Sequence, residues 1–250
     1  MDGNFWHSEL CGKDKNYHLQ KTQMCHEKGI KLVHIYEDEI ANKWDIVESR
    51  IKAMLCLSQT IYGRKCSVVE LNSQEKKEFL IENHIQGDAN STINLGLHYN
   101  GVLVAVMTFS KERIIYGGKQ DGHNYELIRY ANKCNTCVVG GFSKLLKHFI
   151  KKYNPTKIKT FCDIRWSGVN HEQTVYEKCG FRYIDNSKPN YWYMHKNDLL
   201  TRKHRYTFAK HLILQKHPTL DKTKTEWELM RELGYNRIWD CGNMRFELIL

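Results

Sequence analysis

No apolar run in this 250-residue sequence approaches the roughly 20 residues that a membrane-crossing helix needs. The opening MDGNFWHSEL also lacks the apolar core of a secretory signal. The expectation is a cytoplasmic protein with no membrane partner. Disulfide scaffolding is equally unsupported: the nine cysteines are odd in number and scattered, and several fall inside apparent helices or strands. The one Cys-x-x-Cys, Cys134 to Cys137, has no second pair at zinc-site spacing, which argues against a structural zinc there. Acid is the minority charge, with 28 Asp and Glu against 38 Lys and Arg and a net charge of +10. That balance favours a polyanionic partner through phosphate neutralisation, DNA foremost, or else a lysine-rich surface that serves solubility.

What is present is an ordinary globular composition, 41% hydrophobic and 26% charged. Its length suits one large domain, or a medium one with appendages. The most informative stretch is residues 137–181. There Val139-Gly140-Gly141-Phe142-Ser143 opens a helix whose apolar positions Phe142, Leu145, Leu146 and Ile150 recur at helical spacing. A glycine turn feeding a helix N-terminus presents free amides and the positive dipole end, which suits a pyrophosphate, although Gly-Gly before a helix is often only a turn. Residues 157–163 (KIKTFCD) read as a strand ending in an acid, followed by a short helix over 171–179 that stops at Gly180.

At this point the sequence resembles the GNAT-type acyltransferases, through VVGGFSKLLKHFI and TVYEKCGFRYI. The resemblance implies acetyl-CoA or a related acyl-CoA on Val139, Gly140, Gly141, Phe142, Ser143 and Lys144. The family's loop signature falls here on Val138, Gly141 and Ser143. Over residues 80–195 the order ENHIQG, NLGLHYNGVLVAVMTF, YELIRYAN, VVGGFSKLLKHFI, FCDIRWSGVN, VYEKCGF is similar to the phage Mom DNA-modification proteins, which modify the amino group of adenine. Carried over, that likeness implies catalytic roles for His84, Asp163 and Tyr176, with Asp163 taking the amine proton and Tyr176 protonating a departing thiolate. It also implies phosphate or acyl-carboxylate contact by Arg129. The expected opening is V-shaped and lies between central strands near Gly140 to Ser143.

Upstream, WHSE and KDKNYHLQKTQMCHEKGIKLVHIYEDE resemble phage homing endonucleases related to the very-short-patch-repair nuclease. That likeness implies Mg²⁺ at Asp2, His7 and Asp14, with Glu37 or Asp38 as further acids. The family has another strand and acid before WHSE, so the segment is expected to be a remnant or docking piece. Elsewhere, residues 19–28 read as a helix, 30–36 as a strand and 43–57 as an amphipathic helix. The Tyr62-Gly63-Arg64-Lys65-Cys66 cluster either touches phosphate or is solvated linker. Ser73 is the expected cap of the helix over 73–82. Asn100-Gly101 turns a hairpin over 94–109, and the basic stretch from Lys111 to His123 is either a lid or a connection. In the tail, 201–218 reads as a basic helix whose Arg202, Lys203 and Arg205 either contact phosphate or form a solvated helix face, followed by a helix stopped at Gly234 and a closing hairpin.

The expected architecture is therefore α/β of the α+β kind: a GNAT-like, mostly antiparallel sheet flanked by helices, with a small N-terminal α/β piece and a helical C-terminal tail. The consecutive division is 1–60, 61–198 and 199–250, with a homodimer possible. Three functions compete: a transferase acting on an exocyclic amine of a DNA base, a nuclease-derived DNA-binding protein, and a non-catalytic GNAT-fold binder. If the gene is phage-encoded, the compartment is the host cytoplasm.

Overall fold

A computed structural model describes residues 1–112 and 123–250, so residues 113–122 of the expected lid or connection lie outside the described residues. In chain order the elements are α1 (Tyr17–Glu27), α2 (Glu37–Met54), β1 (Gln59–Tyr62), β2 (Ser67–Glu70), α3 (Ser73–Asn83), β3 (Ile93–Tyr99), β4 (Val102–Lys111) and β5 (Asn124–Asn132). They continue with β6 (Thr136–Val139), α4 (Gly141–Tyr153), β7 (Lys157–Asp163), α5 (Ile164–Ser167), α6 (Val175–Lys178), β8 (Arg182–Asn186), β9 (Tyr191–His195) and β10 (Asp198–His204). Last come α7 (Lys210–Lys216), α8 (Glu226–Glu232), β11 (Tyr235–Trp239) and β12 (Asn243–Ile249). The fold is mixed α+β, with a mostly antiparallel sheet flanked by helices.

Two compact units emerge, both discontinuous: Met1–Asn42 with Asp163–Val169 and Asn186–Asn243, and Lys43–Cys162 with Asn170–Asp185 and Met244–Leu250. The consecutive three-part division is thus replaced by an interleaved one, because strands distant in sequence complete each sheet. Lys43, where the second unit begins, breaks α2 with non-helical angles (φ −143°, ψ 34°).

In the second unit the sheet runs β2-β3-β4-β5-β7-β12-β8. β2 to β5 pair antiparallel in succession, and β5 pairs parallel with β7. The hairpin turn has Asn100 at φ 51° and Gly101 at φ 77°, the left-handed pair that a two-residue turn between twisted strands requires. α3 is capped one residue earlier than expected: Asn72, not Ser73, accepts from Gln74 and Glu75 amides, and Glu75 returns a bond to the Asn72 amide. α4 buries Phe142, Leu145, Leu146 and Phe149, so Phe149 takes the place expected of Ile150. Each such side chain contributes about 1.5–3 kcal/mol by leaving water. Phe149 stacks on Phe109 of β4 with centroids 3.6 Å apart, pinning the helix to the sheet.

The first unit is built on the antiparallel sheet β10-β9-β11. Tyr193, Ile213, Leu229 and Met230 form one core, and Tyr36, Met194 and Ile238 another. Residues 30–35 have strand-like alternation but find no ladder; a single bridge joins Asp2 to Tyr36. The expected basic helix also differs, since Lys203 and His204 pair with Tyr193 and Trp192 as strand and the helix starts only at Lys210. No closing hairpin forms, because β11 joins β9 while β12 enters the seven-stranded sheet. α8 does follow the sequence pattern, with Thr225 and Glu228 forming a capping box and Gly234 at φ 82° behind it.

Candidate active site

The glycine turn and α4 stand in the second unit, and Gly140 takes the left-handed conformation (φ 74°) that lets the chain reverse from β6 into the helix. The first helical bond runs from the Lys144 amide to the Gly140 carbonyl (3.0 Å). The amides before it head the helix without an intrahelical acceptor. β1 pairs parallel with β6 and carries Gly63 against this turn. A Cβ on Gly63 would lie 3.0 Å from Gly140 C and Gly141 N, so glycine is required by close main-chain approach. Lys144 donates to the Gly63 carbonyl (3.0 Å) and to that of Cys66, which fixes the 63–66 turn. Beside it lies a cavity of about 560 Å³ lined by Tyr62, Arg64, Gly140, Ser143, Lys144 and Lys147. Arg64 and Lys147 are exposed, with the Arg64 guanidinium over the Tyr62 ring at 5.3 Å. Free amides, two exposed cations and a floor of glycine fit a diphosphate. Ser143 Oγ instead donates to Gly140 O, and Val139 and Phe142 contribute main chain and packing.

A second feature adjoins this turn. β5 pairs with β7 only from Asn124↔Lys157 to Leu127↔Thr160. At the same place the β4–β5 register slips, with Phe109 opposite Leu127 but Thr108 opposite Arg129, which leaves Ile128 as an extra residue. Such a bulge bends its strand and increases the local twist. The strands part beyond it, and Tyr130, Phe142 and Tyr176 line the step from the glycine turn to the parting. Phe142 meets Tyr130 at 5.1 Å and Tyr176 at 5.6 Å, both edge-on. Thr160 Oγ1 donates to Leu127 O, and its side-chain interaction with the Tyr176 hydroxyl offsets only part of the rise that burial causes. Burial pushes the Tyr176 phenol well above its ordinary value, with Cys162 adding to the rise, so it keeps its proton.

The other expected site residues are distributed as follows. His84 caps α3 and is held neutral far below the ordinary imidazole value, first by desolvation and then by Arg129, Arg50 and Lys43. Its Nδ1 accepts from the Gln86 amide (3.2 Å), so the proton of the neutral ring sits on Nε2, which is a donor. Arg129 turns back on the main chain, donating to Ile128 O (2.9 Å) and Gly87 O (3.4 Å), and so braces the bulge. The regular alternation of β5 is broken between Leu127 and Arg129.

Asp163 belongs to the first unit, where it caps α5 through the Arg165 amide (3.0 Å) and lies 3.5 Å from Arg165 Nε. Arg202 corrects the phosphate-contact expectation: it is spent on Asp38 (2.6 Å) and Glu39 (3.0 Å) and stacked 3.9 Å over Tyr36. Burial raises the Glu39 carboxyl, but Arg165 and Arg202 outweigh it and hold it below its usual range. Lys203 is exposed on β10, and Arg205 lies between the Tyr191 and Tyr206 rings at 5.4 and 5.2 Å. His7 reaches Asp2, whereas Asp14 is exposed and only accepts the Asn16 amide, so the two do not form the expected pair.

No known protein-family model matches the chain, and no curated protein sequence matches it. Among solved structures, the chain is similar to a Bacillus subtilis acetyltransferase in complex with CoA, at 15% identity over 74% of this chain and 99% of that one (TM-score 0.41). It is also similar to the IAA acetyltransferase from Bacillus cereus, at 14% identity over the same shares (TM-score 0.42). A third is a GNAT family acetyltransferase from Elizabethkingia anophelis with acetyl-CoA bound, at 12% identity, again over 74% and 99% (TM-score 0.40).

Proposed function

We infer that the chain is an acyl-CoA-dependent transferase and that its acceptor is an amine on a polyanion, an exocyclic amine of a DNA base. The observation that carries the reading is the continuity between a glycine-headed helix N-terminus with flanking cations and a parted pair of strands closed by a protonated tyrosine. Amides of the α4 turn, with Arg64 and Lys147, would hold the diphosphate of the donor. A bound acyl thioester supplies the activated carbonyl. The amine attacks it, the C–N bond forms as the C–S bond breaks, Tyr176 Oη–H protonates the departing sulfur, the surplus amine proton passes to water, and the Tyr176 phenolate recovers a proton from water. The lone pair of a nucleobase amine is delocalised into its ring, so the reaction relies on holding that amine in line with the activated thioester carbonyl. The net charge of +10 supports a nucleic-acid acceptor.

Calorimetric titration with CoA, beside Arg64→Ala and Lys147→Ala forms, tests the donor half. About tenfold weaker binding is expected in each variant, equal to ~1.4 kcal/mol. Pantetheine, which lacks the diphosphate, should bind all forms alike. Absence of CoA binding would refute the donor assignment. Mass spectrometry of nucleosides from plasmid DNA after expression tests the acceptor: CoA binding without a new nucleoside would move the amine to another substrate class.

A further inference from the structure

Four side chains of the first unit converge away from the glycine turn. Asp2, His18 and His34 are buried, at 5%, 1% and 1% exposure, and each offers one ligand atom within 4.8 Å of the others. His34 Nδ1 stands 2.7 Å from Asp2 Oδ2, and His18 Nε2 stands 3.9 Å from the same oxygen. His7 adds a fourth group, its Nδ1 3.2 Å from Asp2 Oδ1 and 3.1 Å from His18 Nε2. Ligands 2.0–2.1 Å from a tetrahedral ion are about 3.3 Å apart; the four spacings above bracket that value, with Asp2, His18 and His34 as the mutually close set and His7 beside it against Asp2 and His18.

Hydrogen bookkeeping points the same way. The Thr22 hydroxyl has one proton, given to the His18 carbonyl one turn back (2.9 Å). Its oxygen, 3.0 Å from His34 Nε2, then accepts from an Nε2–H. The His34 Nδ1 lone pair is left facing a carboxylate at 2.7 Å, which needs a cation between them. A second ring proton on His34 would satisfy that contact, and a proton on His7 Nδ1 would satisfy its contacts with Asp2 and His18; a dication would take the place of both protons. One dication satisfies all four groups.

We propose that Asp2, His7, His18 and His34 bind one divalent transition-metal ion of the zinc type, with Thr22 fixing the His34 tautomer from behind. Three imidazoles and one carboxylate suit a first-row ion such as Zn²⁺ and not Mg²⁺, which prefers oxygen. Four protein ligands leave no open position, so the site is structural: it ties residues 2 and 7 to α1 and to the segment leading into Tyr36. The proposal does not depend on the acyltransferase reading.

The test uses the tag-free full-length chain. Elemental analysis is expected to find one zinc per chain. After chelation, Co²⁺ titration should give visible ligand-field bands of tetrahedral type with one equivalent, and Zn²⁺ should displace it and raise the melting temperature. His18→Gln and His34→Gln should each weaken Co²⁺ binding at least tenfold. Thr22→Val keeps all four ligands and should weaken it roughly 10- to 100-fold, as loss of an outer-shell partner does. The proposal is overturned by no tetrahedral Co²⁺ spectrum in the parent chain, or by binding unchanged in His18→Gln and His34→Gln. Either result leaves a His34–Asp2 ion pair. If the ligand variants fail to fold, the parent spectrum alone decides.

Discussion

Asp240 is a buried carboxyl whose ionisation opposes folding, and Asp240→Asn is the substitution that exposes it. Its Oδ1 accepts both the Asn190 amide (2.6 Å) and the Gly242 amide (2.8 Å). Desolvation, reinforced by Asp163, nevertheless pushes its pKa from 3.8 up to about 7. The folded chain therefore holds a proton that the unfolded chain releases near pH 4. Stability from this group is fully present below pH 4 and is lost as the pH rises through about 7, where the loss reaches about 4 kcal/mol. Asparagine offers the same oxygen to both amides and cannot ionise. At pH 8 Asp240→Asn should therefore be more stable than the parent by up to about 4 kcal/mol, while at pH 4 the two should agree. With roughly 2–4 °C per kcal/mol for a chain of this size, the melting point should rise by about 8–16 °C at the alkaline end. Five of the six tryptophans, all but Trp44, lie in the same unit as Asp240, so urea unfolding followed by tryptophan fluorescence reads the right part. A stability difference between the two forms that is equal at pH 4 and pH 8, or a variant weaker than the parent at pH 8, would refute the reasoning.

Tyr176→Phe keeps the ring among Phe142, Phe181 and Phe246 and removes only the proton donor; acyl transfer should slow roughly 10²- to 10⁴-fold with CoA affinity and melting point unchanged. Gly63→Ala should cost roughly 1–3 kcal/mol in denaturant titration, because its Cβ meets main-chain atoms of the glycine turn, and it should weaken CoA binding as well. Arg202→Ala strips a cation from Asp38 and Glu39, both shielded from water. Its expected cost of roughly 3–5 kcal/mol would be seen as an early transition in the tryptophan signal, whereas a phosphate-contacting arginine would leave that signal unmoved.

Short-range chemistry was legible in the sequence, and long-range pairing was not. The Asn100-Gly101 hairpin, the strand over 157–163 and the glycine-headed amphipathic helix all depend on neighbours within a few residues. The capping of α3 was missed by one position because Asn72 and Ser73 are both good caps, and only the Glu75 partner separates them. The bulge at Ile128 left no local trace, since it exists only as a register slip against β4. Arg202 and Arg205 sit in a run that reads as solvated basic surface. Nothing within that run reveals the distant Asp38 and Glu39 or the stacking tyrosines that occupy them. The Arg64 turn was visible as a basic cluster, but its approach to the α4 N-terminus depends on the parallel β1–β6 pair, whose strands are more than seventy residues apart. Lys147, one turn beyond Ser143, carried a signal that helical spacing alone was enough to find.

The interleaving of the two units has a consequence for how the chain emerges from a ribosome. It passes between them at residues 42/43, 162/163, 169/170, 185/186 and 243/244. The first 42 residues therefore wait for the segment that begins at Asn186, about ten to thirty seconds at ordinary elongation rates. β12, translated after every other strand, is the one that β8 needs to join β7 in the sheet. Until it arrives, β8 has no neighbour in that sheet and β7 keeps an open edge, so the second unit cannot close its sheet before β12, whereas the first has all three strands of its own sheet once β11 is made. A nascent chain stalled near residue 185 would hold the larger sheet without β12 and none of the three strands of the other unit's sheet, making the interval before residue 243 the period in which assistance from chaperones matters most.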